Sequence, residues 1–511
     1  MEDHKFYLLL LSIWVLSTLL LRRLLHRRRP NLPPGPPGLP IIGHLHMLGP
    51  IPHQAFHRIS SSYGPLIHLR LGSSSLVVVN SAEGARDVYK TSELAFADRP
   101  QSYASRKFAY DSAGFAFAPY GPYWKFVKKL CMSELLGGRT LDALSPIRRQ
   151  ERLRLVEALR DGARKGRELN VSEELNKVTN NVIIRMVTGM ASHGVEGGRV
   201  GEARELAKGV AETIGAFNAS DFIWVLKGFD VQGLKRRIDD VHRRFDALME
   251  RIIQRKEEER RTGGGAGERP KDLLDIMLDV LEDDKAEVRL TRENIKGFVL
   301  DIFTAGSDTT AASLEWALSE LINNPSIQEK ARQEIDSVVG TGRLVEESDV
   351  PNLPYLQAIV KETLRLHPAA PLATRIATRD AKILGHDVPA HTFVFVNVWS
   401  INKDPNHWPD PLEFSPGRFL NPAESLDVRG QHYHYVPFGS GRRSCPGASL
   451  ALNILHVTLA VLIQCFEWEA GVGEDGERTR LDMTEGLGLT VPREHPIICV
   501  PKARLHPLPS F

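Results

Sequence analysis

Cysteine is scarce in this chain: Cys131, Cys445, Cys465 and Cys499 are the four among 511 residues. None has a CxxC partner, so neither a disulfide framework nor a zinc site is indicated. The catalytic body is therefore expected to face a reducing compartment. Net charge is nearly absent too, at +2, so neither nucleic acid nor a strongly acidic partner is implied. Nor does a long low-complexity linker divide the chain, and one large domain is the simplest organisation.

Long apolar runs are also few, and the one at the N-terminus has a clear reading. Phe6 to Leu21 is apolar or weakly polar throughout and is followed by Arg22, Arg23, Arg27, Arg28 and Arg29. The stretch is slightly shorter than the ~20 residues a bilayer core requires, a gap that a thin endoplasmic-reticulum membrane and snorkelling arginines close. The charge excess follows the apolar stretch and no small-residue cleavage site precedes the arginines, which argues against a signal peptide. Residues 1–29 are thus expected to be a single-pass anchor in that membrane, with the body in the cytosol. Residues 30–40, holding Pro33-Pro34-Gly35-Pro36-Pro37-Gly38, cannot continue a helix and read as a stiff hinge. Residues 41–511 remain as the catalytic domain.

Within that domain, Leu66 to Leu71 and Ser75 to Val79 read as strands. Helical spacing of apolar residues marks Gln150 to Lys165, Glu202 to Gly215 and Lys235 to Arg261, and Thr262 to Gly267 reads as a surface loop. Thr291 can cap a helix persisting to Asn323-Asn324-Pro325, roughly 50 Å long at 1.5 Å per residue. Ala305-Gly306-Ser307-Asp308-Thr309-Thr310 interrupts it with poor helix formers, yet Ala311 to Leu318 resumes the pattern at once. Local propensity is overridden there, which marks a site.

The richest motif is Phe438-Gly439-Ser440-Gly441-Arg442-Arg443-Ser444-Cys445-Pro446-Gly447. Its glycines permit tight turns and close backbone approach to a flat ligand, and Arg442 and Arg443 favour an ionised thiol. Such a loop offers one thiolate to an iron.

The pattern Phe438-x-x-Gly441-x-Arg443-x-Cys445-x-Gly447 resembles the haem-binding loop of the cytochrome P-450 monooxygenases. The resemblance runs from the N-terminal anchor to Gly486-Leu487-Gly488-Leu489 and implies a mainly α fold with small β-sheets. It implies haem b with Cys445 as iron ligand, Phe438 packed beside it, and Trp124, Lys128, Arg375 and Arg443 holding the propionates. It further implies that Gly306 lets a ligand approach the long helix, that Asp308 feeds protons through water and that Thr309 hydrogen-bonds reduced oxygen. Glu362-Thr363-Leu364-Arg365 matches the family's Glu-x-x-Arg lock, closed by Arg418. NADPH electrons are expected through a cytochrome reductase, with Lys129 and Arg442 in a docking face for it.

Arg106 to Trp124 and Leu130 to Leu136 resemble the flavonoid-acting plant branch, whose members oxidise flavanones at C2 or C3. Isoflavonoid-forming members carry lysine where this chain has Thr374, so flavone synthase activity is expected, with flavanone 2-hydroxylase as the alternative. Phe115, Phe117 and Phe217 are candidates to stack on planar rings, and Arg106 to bond a phenol or carbonyl oxygen. Two other classes stay open: a haem-thiolate isomerase or dehydratase needing no O2, and a catalytically silent membrane haem protein.

Overall fold

A computed structural model describes residues 12, 13, 17, 30–190, 194–262, 270–421, 426–469 and 479–505. Apart from Ser12, Ile13 and Ser17, the expected anchor lies outside these residues, as does the 263–267 part of the expected loop. Fourteen elements matter for the site. The first are helix α1 (Pro52–Tyr63), strands β1 (Leu66–Leu71) and β2 (Ser74–Val79), and the short helix α2 (Tyr103–Phe108). Helices α3 (Pro122–Leu130), α4 (Ser145–Lys165), α5 (Val171–Thr188), α6 (Gly194–Gly215) and α7 (Leu234–Arg261) come next. The central rod α8 (Arg292–Asn323) precedes α9 (Pro354–Leu366), strands β3 (Leu372–Ile376) and β4 (Phe393–Asn397), and α10 (Ala448–Cys465).

Helix boundaries reflect local chemistry. The Thr291 side chain accepts from the Asn294 amide while Asn294 returns the bond, a capping box that starts α8. Asn170 caps α5, whose far end stops at left-handed Gly189, and Pro122 opens α3 where its missing N–H costs nothing. The rod runs unbroken through Ala305 to Thr310, because tertiary packing outweighs the poor propensity of that cluster.

The four-stranded sheet has the order β1, β2, β4, β3. β1 and β2 form an antiparallel hairpin, β4 joins β2 in parallel, and β3 closes the edge antiparallel, setting Thr374 opposite Phe395 and Arg375 opposite Val394. Its β2 and β4 residues Val77, Val79, Val394 and Val396 are fully buried on one face. The main core lies among the helices, where α8 packs on α5 and α10 through Phe303, Leu314, Leu318 and Leu459. Among the described residues, Ala448–Cys465 is the one helix apolar and long enough to span a bilayer, but 72% of it is buried inside the fold. It is a core helix.

The expected lock is present. Arg365 donates to both oxygens of Glu362, at 2.6 and 2.9 Å, and Arg418 reaches the same carboxylate at 3.0 Å. Arg365 also donates to the Asn402 and Pro411 carbonyls, fastening α9 to the segment that leads towards the Cys445 loop.

Candidate active site around Cys445

Gly439 and Gly441 take φ of 69° and 70°, the left-handed turn that side chains resist. They fold the loop so that the Cys445 amide donates to the Phe438 carbonyl at 2.9 Å, while the Phe438 ring packs on the main core. Cys445 is exposed by surface area yet lies deep in the protein mass, which together describe a side chain facing an internal hollow. Beside it the space is open: a Cβ on Gly447 would meet nothing nearer than the Cys445 sulfur at 3.9 Å. Burial pushes the thiol pKa up, and the Gly447 amide, Lys128 and Arg99 pull against it. The N-terminus of α10, beginning at Ala448, adds its positive end.

The cations at work differ in part from those expected. Arg442 is exposed and turned to Glu93, which takes both its amide at 2.6 Å and its guanidinium at 3.0 Å. Arg443 is buried, donates to the Ala97 and Ala118 carbonyls at 2.7 and 2.5 Å, and covers the Trp124 ring. Lys128 donates to the Ser444 carbonyl at 3.0 Å. Arg375, buried on β3, bonds the Thr374 carbonyl and faces the Tyr89 ring.

Arg99 joins them without any signal in the sequence except a lone base after the apolar Leu94 to Ala97 run. A bridge from Ile376 to Asp98 sets it beside Arg375. Burial, and then repulsion from Arg375, pull the Arg99 guanidinium down to about 10, and burial with Arg99 and Arg375 brings Arg443 down to about 9. Arg99 has no side-chain hydrogen bond or ion pair among the described residues, and the buried Trp124 Nε1 has no acceptor.

Such a cluster of mutually repelling cations, with an orphaned N–H, calls for a ligand with acidic arms. Asp98 pairs with Arg443 at 3.6 Å and the charge of Asp301 bears on Arg99, but two carboxylates only partly balance the four cations Arg99, Lys128, Arg375 and Arg443. A flat group with two carboxylates and a metal for the Cys445 sulfur fits, and haem is such a group.

On α8, Ala305 is exposed in mid-helix, and the Thr309 hydroxyl donates to its carbonyl at 2.7 Å. Asp308 is half-buried; burial raises its pKa, with Lys208 and Glu212 of α6 as the charges that bear on it. Gly306 does not fit its expected role. A Cβ there would stand 2.8 Å from Ile183 Cδ1, so this glycine serves the close crossing of α8 with α5, and the exposed position is Ala305.

The expected ring-stacking residues separate. Phe115 stacks on Trp124 at 5.8 Å and 17°, with Lys128 over its ring, so it belongs to the cation cluster. Phe117 and Thr374 are half-buried. Phe217 is instead 46% exposed and stacks on Phe222, which packs on the β1–β2 sheet. Arg106 is exposed on α2 with Asp221 as a nearby charge, so the structure does not bring these two to Phe115. Asp301, which holds the backbone before Phe117, gave no sign in the sequence.

The model of the family described as Cytochrome P-450 matches residues 33–500. A Glycine max protein named 3,9-dihydroxypterocarpan 6A-monooxygenase is 50% identical, over 98% of this chain and 99% of its own. A 2-hydroxyisoflavanone synthase of Glycyrrhiza uralensis is 42% identical, over 95% of this chain and 94% of its own. Among solved structures, a zebra fish cytochrome P-450 with progesterone superposes with a TM-score of 0.75 at 28% identity, covering 88% of this chain and 99% of that one. The thiol loop, the long helix and these likenesses agree, and the chain belongs to the cytochrome P-450 family of haem monooxygenases, which receive NADPH electrons through a reductase.

Proposed function

We propose that this enzyme converts flavanones such as naringenin to flavones. The reaction removes the C2 and C3 hydrogens, and with O2, NADPH and a proton it yields the flavone, NADP+ and two waters. The observation that carries the oxidative part is the cation cluster around Cys445, which faces a hollow; on this reading Asp308 and Thr309 of α8 would stand across that hollow from the sulfur. The flavonoid part is supported by the names of the two plant relatives, a dihydroxypterocarpan monooxygenase and a 2-hydroxyisoflavanone synthase.

Bound haem supplies the oxidising chemistry. Cys445 would ligate its iron, and Trp124 Nε1, Lys128, Arg99, Arg375 and Arg443 would hold the propionates. Asp308, its pKa raised, retains a proton further up the pH scale than an ordinary aspartate does and can pass it on. Thr309 donates to Ala305 but keeps its oxygen lone pairs free to accept a hydrogen bond from water. Retention of this acid and alcohol supports oxygen chemistry over an isomerase or dehydratase. Phe117 and Thr374 would border the substrate.

The same reading places residues 1–29 in the endoplasmic-reticulum membrane as anchor, 30–40 as hinge and 41–511 as a cytosolic catalytic domain. Its support is an exposed apolar side. Leu39 and Ile41 are 50% and 59% exposed, and Trp224, Phe229 and Val231 are 68%, 66% and 58% exposed. Both segments meet the β1–β2 turn, where Gly72 donates to the Ile42 carbonyl and Ser73 to that of Phe222. Lys129, exposed on α3, remains in the proposed reductase-docking face, while the charge of Arg442 is engaged by Glu93.

A second reading, release of the 2-hydroxyflavanone, is favoured by the relative named as a 2-hydroxyisoflavanone synthase. One experiment separates the two. Naringenin is fed with NADPH to microsomes holding the enzyme and a reductase, and products are identified before and after acid treatment. Apigenin before acid supports the flavone reading; 2-hydroxynaringenin that becomes apigenin only in acid supports the second. No NADPH-dependent product from naringenin overturns both.

A further inference from the structure

Between α2 and α3 the backbone takes a path it would not keep unaided. Tyr110, Asp111 and Ser112 have φ of 47°, 52° and 82°, three successive side-chain-bearing residues in the left-handed region. Such a path persists only where the surroundings fix it, and here two helices do. Tyr110 donates its hydroxyl to Asp246 of α7 at 3.0 Å. On the other side, Asn294 of α8 donates to the Ala113 carbonyl at 3.2 Å, and Tyr123 donates to the same oxygen.

The next two amides converge on one atom. Phe115 and Ala116 both donate to Oδ2 of Asp301, at 2.6 and 2.8 Å, across 186 and 185 residues of sequence. Gly114 and Gly297 let the strap lie directly on α8: a Cβ on Gly114 would stand 2.7 Å from that Oδ2, and one on Gly297 would stand 2.9 Å from the Gly114 nitrogen. Asp301 precedes Ala305 by one helical turn and Thr309 by two, so it shares their side of the rod. A single carboxylate therefore sets the register between α8 and the strap bearing Phe115 and Phe117. The charge of Arg99 bears on the same carboxylate.

We propose that Asp301 is a positioning residue that fixes the strap at the wall of the hollow and so determines how well the site holds large aromatic ligands. The proposal rests on reading that hollow as the haem site, and not on the choice of flavanones. Both amides use one oxygen, so an amide side chain can reproduce the contact, whereas alanine cannot.

The test uses the full-length haem-loaded enzyme and two azoles that bind iron through nitrogen: imidazole, too small to meet the strap, and clotrimazole, bulky and aromatic. Difference spectra give both affinities for wild type, Asp301→Asn, Asp301→Ala and Gly114→Ala. The thiolate-type carbon monoxide band is expected in all four. Asp301→Ala and Gly114→Ala are expected to lose clotrimazole affinity by roughly tenfold, the loss of two charge-assisted hydrogen bonds being partly relieved by water. Imidazole affinity stays within about twofold, since its bonding to iron needs no strap, and Asp301→Asn behaves as wild type. Equal clotrimazole affinity in wild type and Asp301→Ala overturns the proposal, as do parallel losses for both azoles or an Asn variant as weak as Ala. If Asp301→Ala fails to take up haem, Gly114→Ala carries the same test with the carboxylate intact. Wild-type enzyme that ignores naringenin but shows this azole pattern loses the flavanone reading alone.

Discussion

Lys128 on α3 donates to the carbonyl of Ser444, the residue that precedes Cys445. The bond ties a helix to the thiol loop and brings a positive charge to bear on the sulfur. Lys128→Met is expected to weaken the loop by ~1–2 kcal/mol, less than a fully buried charged hydrogen bond because the ammonium is half-exposed. Haem content per chain and the thiolate-type carbon monoxide band should both fall. Lys128→Arg keeps the charge and should recover most of both.

Glu362 serves two guanidinium groups at once, and its side chain and that of Arg365 are wholly buried. Removing the carboxylate leaves Arg365 charged without a counter-ion inside the fold. Glu362→Gln should therefore cost about 3–5 kcal/mol, read as a large fall in the thermal unfolding midpoint and in soluble yield. Arg418→Lys, at the more exposed end of the network, should cost less, and an equal loss would mean that the network acts as one unit.

The parts of the site differ in how legible they were. Glu362 and Arg365 were legible through their match to the family's Glu-x-x-Arg motif, and Cys445 through the close glycines around it, since both patterns are local in sequence. The α8 cap at Thr291 and the hairpin strands were legible for the same reason, being local. Arg99 and Asp301 acquire their roles only when distant segments meet: Asp98 pairs with Ile376, and Asp301 reaches amides 185 and 186 residues away. Gly306 misled because a glycine beside a reactive position has two physical uses, ligand approach and helix crossing, which sequence does not distinguish. That Arg106 and Phe217 stand apart from Phe115 was not legible either, because their positions depend on the path of the surrounding backbone.

The Gly306 correction can be checked with two neighbouring substitutions. Gly306→Ala forces a methyl against Ile183 and should destabilise the fold by about 1–3 kcal/mol, read by thermal unfolding. Ala305→Val adds bulk on the exposed side of the same turn. It should leave the unfolding midpoint nearly unchanged while reducing azole affinity. The reverse pattern would restore Gly306 to the ligand side.

Asp301 gives a pH dependence with a definite sign. Its carboxyl rises from 3.8 to about 6, mainly through burial, against the two amide bonds and Arg99. Between those values the folded protein binds more protons at this site than the unfolded chain, so its contribution to stability falls as pH rises from ~4 to ~6 and stays low above. Asp301→Asn removes the charge but keeps an acceptor. Its unfolding midpoint should exceed that of wild type at pH ~7.5, by an amount equivalent to roughly 1–3 kcal/mol, and the difference should shrink towards pH ~4. A gain that grows on acidification would reverse the assigned direction.

Thr309 tests the proposed proton relay most directly. Its hydroxyl donates to Ala305 and has lone pairs to spare, while Asp308 next to it holds a proton above the ordinary aspartate range. If the two relay protons to reduced oxygen, Thr309→Ala leaves electron input intact but misdirects the proton delivery that should come after it. NADPH consumption should continue at near the wild-type rate, product formed per NADPH should fall roughly tenfold, and hydrogen peroxide should account for the difference. Thr309→Ser, retaining the hydroxyl, should restore much of the coupling. An alanine variant with unchanged product per NADPH would remove Thr309 from the relay and leave Asp308 to deliver protons through water alone.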